Sequence, residues 1–465
     1  MKKSLTTILI AILFVTGCNA QNSAQGIKDA FYYNRFLAKT VSMGNALEAP
    51  VEGDWGMKIE KEYFKLIKDA GFTAVRVPIK WSAHALENAP FTVDKSFFER
   101  IDEVLSQALE QDLAVILDFH HYWELDAEPE KHLQRWLKIW AQISKHYQSS
   151  PSNVFFEILN EPHDKINDAI WNNFLLKGIT EIRKTNPTRI LIVGPTYWNA
   201  AWKLKDLRLP SDDRNIIATF HYYDPFDFTH QGAEWVEPSP PLGVEWHEDD
   251  FSFASGWEDW SWDTSFTASG DTLELSFDKG WAGLYLHSNS ALSGFESLRF
   301  STNKALKLSI LCVEDETKAF RLDTSNATAS YTIDLRDCGT TNALDRIIIQ
   351  NYSDEPQTIA ISDLRLVAKN KELKLTTTIA EQMKTSFESV SEWARAHNRP
   401  LFMGEFGAYS KADLKSRIRW TSFVRKTAEE YNISWSYWEF GSGFAVYNRN
   451  TKSWNKGILN ALIPK

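Results

Sequence analysis

Residues 113–122, LAVILDFHHY, and residues 154–162, VFFEILNEP, are two apolar runs that each break off into polar side chains, with a stretch of helical spacing over 133–147 between them. Strand, helix, strand in that order argues for parallel strands covered on both faces. The same unit recurs on either side. Upstream, 39–43 opens, 58–70 reads as a helix, 73–79 (TAVRVPI) as a strand and 94–110 as a helix. Downstream come a helix over 169–184 and strands over 190–193 and 216–220, which makes six strands. From about 247 to 370 the helical spacing disappears. Short alternating runs (272–277, 284–286, 306–313, 331–335, 346–349) are separated by turn residues, the pattern of an antiparallel sandwich. A helix over 378–397, a strand over 400–403, a helix over 413–430 and a strand over 433–437 then resume the first pattern. The expected fold is α/β: a (β/α)8 TIM barrel in two parts, 38–246 and 371–465, with an all-β sandwich, 247–370, inserted after strand six.

The composition agrees with a large folded core. Of 465 residues 43% are hydrophobic and 24% charged, and the formal net charge is −10. That charge argues against a nucleic-acid partner, which calls for a basic surface, and suits a neutral ligand. The 19 tryptophans lean towards carbohydrate, because indole faces match the apolar faces of sugar rings, although Trp also fills cores.

Lys2 and Lys3 precede an apolar run over 8–15 that is too short to span a bilayer and has the shape of a signal peptide. The run ends in Val15-Thr16-Gly17-Cys18, which resembles the bacterial lipobox. On that resemblance residues 1–17 are a lipoprotein signal, Cys18 is the lipidated first residue, and 18–37 form a linker and arm. Asn19, where Asp would signal inner-membrane retention, points to the outer membrane, on its periplasmic or cell-surface face. The other reading is a soluble secretory signal with an incidental cysteine. Nothing later is long and apolar enough to span, so the membrane contact is a tether. Cys312 and Cys338 remain; in an oxidising compartment they can pair, and two buried thiols are the alternative. No cluster has zinc-type spacing, and no metal or cofactor is expected.

Working residues of a barrel sit at the carboxyl ends of its strands. Strand two bears Arg76. Strand three ends in Asp118-Phe119-His120-His121, strand four in Asn160-Glu161-Pro162, strand six in His221-Tyr222-Tyr223, strand seven in Gly404-Glu405-Phe406-Gly407 and strand eight in Tyr437-Trp438-Glu439. Six polar ends converging on one mouth are hard to explain as structure alone. Strands four and seven stand on opposite sides of a barrel, so Glu161 and Glu405 can face one another. Glycoside cleavage with retention needs two carboxyl groups about 5–5.5 Å apart, one donating a proton and one attacking. A neighbouring negative carboxylate is expected to raise the pKa of Glu161.

The chain resembles glycoside hydrolase family 5, and most nearly its cellulase-like endoglucanases and mannanases. The resemblance runs along the whole barrel: GNALEAPVEGDWG (44–56), VRVPI (75–79), DFHHY (118–122), FEILNEP (156–162), HYYDPFDFTHQGAEWV (221–236), GEFGAY (404–409) and WSYWEFGSGFAVYN (435–448). It implies Glu161 as acid/base, Glu405 as nucleophile and Asn160 as the holder of the 2-hydroxyl. It implies that Arg76 and Tyr223 hold the ionised nucleophile, Arg76 lowering its pKa. His120, His121 and His221 are implied to bond sugar hydroxyls or Glu161, and Trp438 to floor the reacting ring. Asn45 and Glu48 are implied to reach more distant sugars, and Trp198 and Trp235 to line the cleft. Glu157 reads as a buried partner of Arg76. The departure from the family is the insert. Its segments 256–263 (GWEDWSWD) and 280–285 (GWAGLY) resemble carbohydrate-binding sandwiches. Its Trp residues can be core, can bind sugar, or can shape one wall of the cleft, and no calcium ligand set stands out.

The expectation is a monomeric, retaining endo-β-1,4-glucanase acting on β-linked polysaccharide or oligosaccharide. A β-mannanase or mixed glucan/mannan enzyme, and an exo-acting enzyme with a closed cleft, are the enzyme alternatives. A non-catalytic glycan-binding lipoprotein is the alternative from another class, and the intact carboxylate pair speaks against it.

Overall fold

A computed structural model describes residues 28–340 and 343–465. The expected signal segment and Cys18 lie outside the described residues. Eight parallel strands close a barrel in the order Lys39–Ser42, Ala74–Ile79, Ala114–Phe119, Val154–Glu157, Leu191–Val193, Ile216–Tyr222, Leu401–Phe406 and Ser434–Tyr437, the last pairing with the first. These strands are buried almost throughout, as parallel strands between a packed lumen and a ring of helices must be. The period of two sorts their side chains. Val75, Val77, Val115, Leu117, Ala218 and Phe220 pack outward against helices. Ala74, Ala114, Ile116, Phe155, Ile192, Ile217 and Phe402 fill the lumen as a separate apolar cluster, joined by Ala30 and Leu37 from the arm. Above that plug the next inward positions are Arg76, Asp118, Glu157 and Thr219, all fully buried. The lumen therefore changes from apolar to charged along its axis, and the charged end is the catalytic end of such a barrel.

The helices follow from their spacing. Helix Pro129–His146 buries Leu133, Trp136, Ile139, Trp140 and Ile143 on one stripe. It begins at Pro129, four residues before the expected start, because its polar first turn shows no periodicity and proline suits the first helical position. Helix Ile379–His397 starts at a Thr378 cap that accepts from the Glu381 N–H and stops at left-handed Asn398.

Between the sixth and seventh barrel strands stands the sandwich. One sheet runs Ala329–Asp334, Ser297–Thr302, Gln357–Ala368, Thr272–Phe277, Thr264–Ser269, with Lys371–Lys374 on Gln357–Ala368. The other runs Phe320–Asp323, Lys307–Leu311, Leu344–Asn351, Gly283–Leu292, Trp257–Asp259. All pairings are antiparallel, and the sheets enclose a core of their own. Cys312 and Cys338 are disulfide-bonded inside it. The sandwich does not end at 370, as expected from sequence. Lys371–Lys374 (KELK) is a polar edge strand without alternation, so its texture hides its pairing. Thr376–Thr378 then pairs with Phe251–Phe253, so the chain leaves and rejoins the barrel through one two-stranded ladder.

Candidate active site

Arg76 organises the charged end of the lumen. Its Nε donates to Glu157 Oε2 at 2.7 Å and its Nη1 to Glu405 Oε1 at 2.6 Å. Its Nη2 reaches Glu157 Oε1 at 3.0 Å, Asn160 Oδ1 at 2.6 Å and Asp118 Oδ2 at 2.9 Å. One guanidinium thus faces three carboxyl groups, all buried. Removing carboxylates from water favours their neutral forms. Burial pushes Asp118 up to about 7 and raises Glu157, against the pull of Arg76. The Arg76–Glu157 pair expected from sequence is there, and Asp118, expected only as a strand end, joins it. Its position two residues before His120, on the same face, was the available signal, and its Oδ2 lies 2.5 Å from His120 Nδ1.

Glu405 reaches the lumen through a break in the strand. Phe402 points in and Met403 out, yet Phe406 also points out, and the register with both neighbouring strands shifts between Met403 and Phe406. Two successive residues, Gly404 and Glu405, therefore share the inner side, the arrangement of a bulge that re-aims a side chain. Gly404 makes room: a Cβ there would lie 2.8 Å from Thr219 Oγ1 and 3.0 Å from His221 Nε2. Glu405 receives Arg76 on one oxygen and the Tyr223 hydroxyl on the other, at 2.8 Å. Tyr223 is pushed well above its ordinary range by burial and keeps its proton to donate. Burial raises Glu405 as well, against the pull of the Arg76 charge and the Tyr223 bond. The net direction is opposite to the lowering expected from Arg76 alone.

Glu161 is placed differently. Its Oε1 lies 2.7 Å from His221 Nδ1, and among the described residues no cation bonds it directly. It is raised to about 7, and the first cause is burial, not the neighbouring carboxylate that sequence reasoning invoked. His221 is pushed down to about 4 by burial, so its ring is neutral. A neutral ring has one N–H. Placing it on Nδ1 gives Glu161 a donor and leaves the buried, unpartnered Nε2 as a bare acceptor, which costs less than an orphaned donor. One ligand atom each from Glu161, His221 and Glu405 lie within 4.8 Å of one another. That trio has the donor types of a metal site, but both Glu405 oxygens already accept from Arg76 and Tyr223.

The remaining expected residues divide. Asn160 is fixed twice, by Arg76 on its Oδ1 and by Asn199 Nδ2 on its carbonyl, which leaves its own Nδ2 as the free donor. Half-buried Trp438 stacks on His120, centroids 5.4 Å apart and planes at 3°. His121 lies edge-on to Trp55 and 5.3 Å from Trp123, over whose ring Lys80 Nζ sits at 3.2 Å. Trp55, Trp123 and Lys80 were not singled out from sequence. Trp198 is half exposed and stacks on His163, whose Nδ1 lies 2.5 Å from the Glu161 carbonyl. Trp235 is exposed and meets Tyr409 edge-on. Asn45 donates to Glu439 Oε2 at 3.1 Å.

Glu48 does not belong with the sugar contacts. It is 1% exposed and accepts the backbone N–H groups of Asn45 and Ala46. Burial pushes it up to about 8. Its carboxyl closes the loop that presents Asn45, and no surface of it is left for a ligand.

The sequence pattern of the family described as Cellulase (glycosyl hydrolase family 5) matches residues 38–249 and 351–443. Endoglucanase H of Acetivibrio thermocellus is 28% identical over 440 residues, covering 93% of this chain. The chain spans only 33% of the length of that relative. Crystal structures of Thermotoga maritima Cel5A with cellobiose and with a mannotriose substrate each superpose with a TM-score of 0.65 at 33% identity, over 94% of this chain and all of theirs.

Proposed function

This chain belongs to glycoside hydrolase family 5, and from that premise we propose that it is a retaining endo-β-1,4-glucanase, with Glu161 as acid/base and Glu405 as nucleophile. The observation that carries the proposal is the unequal setting of two carboxyl groups whose nearest oxygens lie within 4.8 Å. Glu405 holds a guanidinium and a phenol donor, which favour its ionised form; Glu161 has a neutral imidazole and, raised to about 7, keeps a substantial protonated fraction near neutral pH. Their closeness suits a double displacement, which leaves no space for a water between carboxylate and sugar.

In the first step Glu405 attacks the anomeric carbon, the glycosidic bond breaks, and its oxygen leaves with the proton of Glu161. In the second, Glu161, now a carboxylate, takes a proton from water; the water oxygen bonds the anomeric carbon and the ester to Glu405 breaks. Asn160 Nδ2 is positioned to bond the 2-hydroxyl, an interaction that tightens in the transition state. Trp438 offers the ring face beneath the reacting sugar. Asn45, His120, His121, Trp198 and Trp235 are assigned to sugars and hydroxyls along the cleft.

Reducing-sugar release from carboxymethylcellulose, mixed-linkage β-glucan, xyloglucan, glucomannan and mannan tests the reading, with Glu405→Gln alongside. Release from β-glucan, lost in the variant, is expected. Release from mannan alone moves the substrate to the 2-epimer, a choice kept in the panel because a mannotriose complex exists among the similar structures. No release from any polymer overturns the endo-glucanase reading. We also propose a lipid tether at Cys18 that holds the chain, as a monomer, at the outer membrane; Cys18→Ser should move the protein from the membrane to the soluble fraction.

A further inference from the structure

The sandwich hides its large apolar side chains with two exceptions. Among its described residues, Trp260 and Trp281 stand 50% and 45% exposed, while Trp257 is buried in the core. Both rings flank the sheet edged by Trp257–Asp259, Trp260 just after that strand and Trp281 just before Gly283–Leu292, their backbone N–H groups bonded to the Tyr285 and Asn351 carbonyls, and neither is loose. Trp260 lies flat on His287, centroids 3.8 Å apart and planes at 10°, and its Nε1 donates to Glu258 at 3.1 Å. Trp281 donates through Nε1 to Asp354 at 3.2 Å and meets Tyr352 edge-on. Trp262 joins the two, its Nε1 donating to the Trp281 carbonyl at 3.0 Å and its ring meeting Tyr285, which also meets Trp260. The Trp262 ring lies against Gly283, where a Cβ would come within 2.6 Å of it. All three indole N–H groups are thus spent inside the protein, and the exposed faces are held rigid.

We infer that this face is a second, non-catalytic binding site for a neutral β-linked polysaccharide chain. Rigid aromatic faces lose little entropy on stacking against the C–H faces of sugar rings. The rim holds Glu258, Asn289, Asp354 and Gln350, side chains of the kind that bond hydroxyls, each already making a bond within the face. Nearby cations are engaged, Arg346 with Asp345 and Glu314, Arg321 over the Tyr352 ring. With an acidic rim and a net charge of −10, an anionic polymer is the wrong occupant. The assignment rests on the reading of the barrel as a polysaccharide hydrolase, since that substrate is the chain brought within reach of the sandwich.

The test compares the full chain carrying Glu405→Gln with the same chain also carrying Trp260→Ala and Trp281→Ala, by electrophoresis through gels holding mixed-linkage β-glucan or glucomannan. The two alanines are expected to raise the apparent Kd about tenfold or more in at least one gel. Trp260→Phe with Trp281→Tyr should restore retardation. In the otherwise unaltered enzyme the alanines should leave kcat/KM on a short soluble cello-oligosaccharide unchanged, because both rings lie outside the barrel site. Equal retardation with and without the indoles overturns the inference, as does the absence of retardation in either gel. If retardation depends on the indoles but the active enzyme cuts no polymer, the binding site stands and the hydrolase reading falls.

Discussion

Glu161 and Glu405 carry the same side chain in settings that ask opposite things of it. Burial raises both, but only Glu405 is answered by a guanidinium and a phenol. With Glu161 near 7, its protonated fraction falls as pH rises through that value. The kcat/KM profile should therefore drop on the alkaline side of about 7, and Glu161→Gln should cost about 10²–10⁴-fold and remove that limb. Arg76→Lys keeps a charge but loses the fork that serves Glu157, Asn160 and Glu405 together. Leaving buried carboxyls unpaired should cost about 3–5 kcal/mol by denaturant melts, besides nearly all activity. Glu48 shows where a motif misleads. The family pattern places it at the mouth, and nothing in the string GNALE reveals that its carboxyl turns inward to two backbone N–H groups. Its pKa is raised from 4.5 to about 8, so the folded state binds its proton more tightly. That stability is fully present below the unfolded value and is lost as pH rises through about 8. The melting temperature of Glu48→Gln should fall less than that of the wild type between pH 5 and 9, and its KM for long substrates should stay unchanged. An altered KM would return Glu48 to the sugar contacts.

The barrel strands were legible because strands covered on both faces read as unbroken apolar runs, and their ends were legible because polar residues interrupt those runs. What alternation cannot show is a place where alternation fails. Nothing in LFMGEF announces that Gly404 and Glu405 face the same way; only the packing of Met403 and Phe406 on the outer side shows it. Gly404→Ala should therefore displace Glu405 or His221 without touching substrate. A shift of about 1 Å in the nucleophile can cost about 10²-fold, so kcat should drop by that order with KM little changed. A similar blindness moved the end of the sandwich. Lys371–Lys374 is exposed and charged, and only its ladder to Gln357–Ala368 reveals it as a strand. The start of helix Pro129–His146 slipped for a related reason, since its polar first turn lacks the stripe by which a helix is recognised.

At the scale of the molecule the barrel and the sandwich keep separate cores. Their junction is narrow: Phe251–Phe253 pairs with Thr376–Thr378, and Ala254 donates to Leu375 across the next rung. Joining Phe253 to Thr376 through an Asn-Gly turn should give a barrel that still folds, because such a turn closes an antiparallel pair. The shortened protein should cut a short oligosaccharide at the full-length rate; loss of that activity would mean that the sandwich supports the cleft. Reducing the Cys312–Cys338 bond should lower the melting of the sandwich by the few kcal/mol expected for a closed loop of its size, about 3, and leave hydrolysis intact. The paired exit and return also bear on ancestry. A module whose two ends already lie side by side can be spliced into a gene, or dropped from it, in one recombination event that asks nothing of its host beyond a turn.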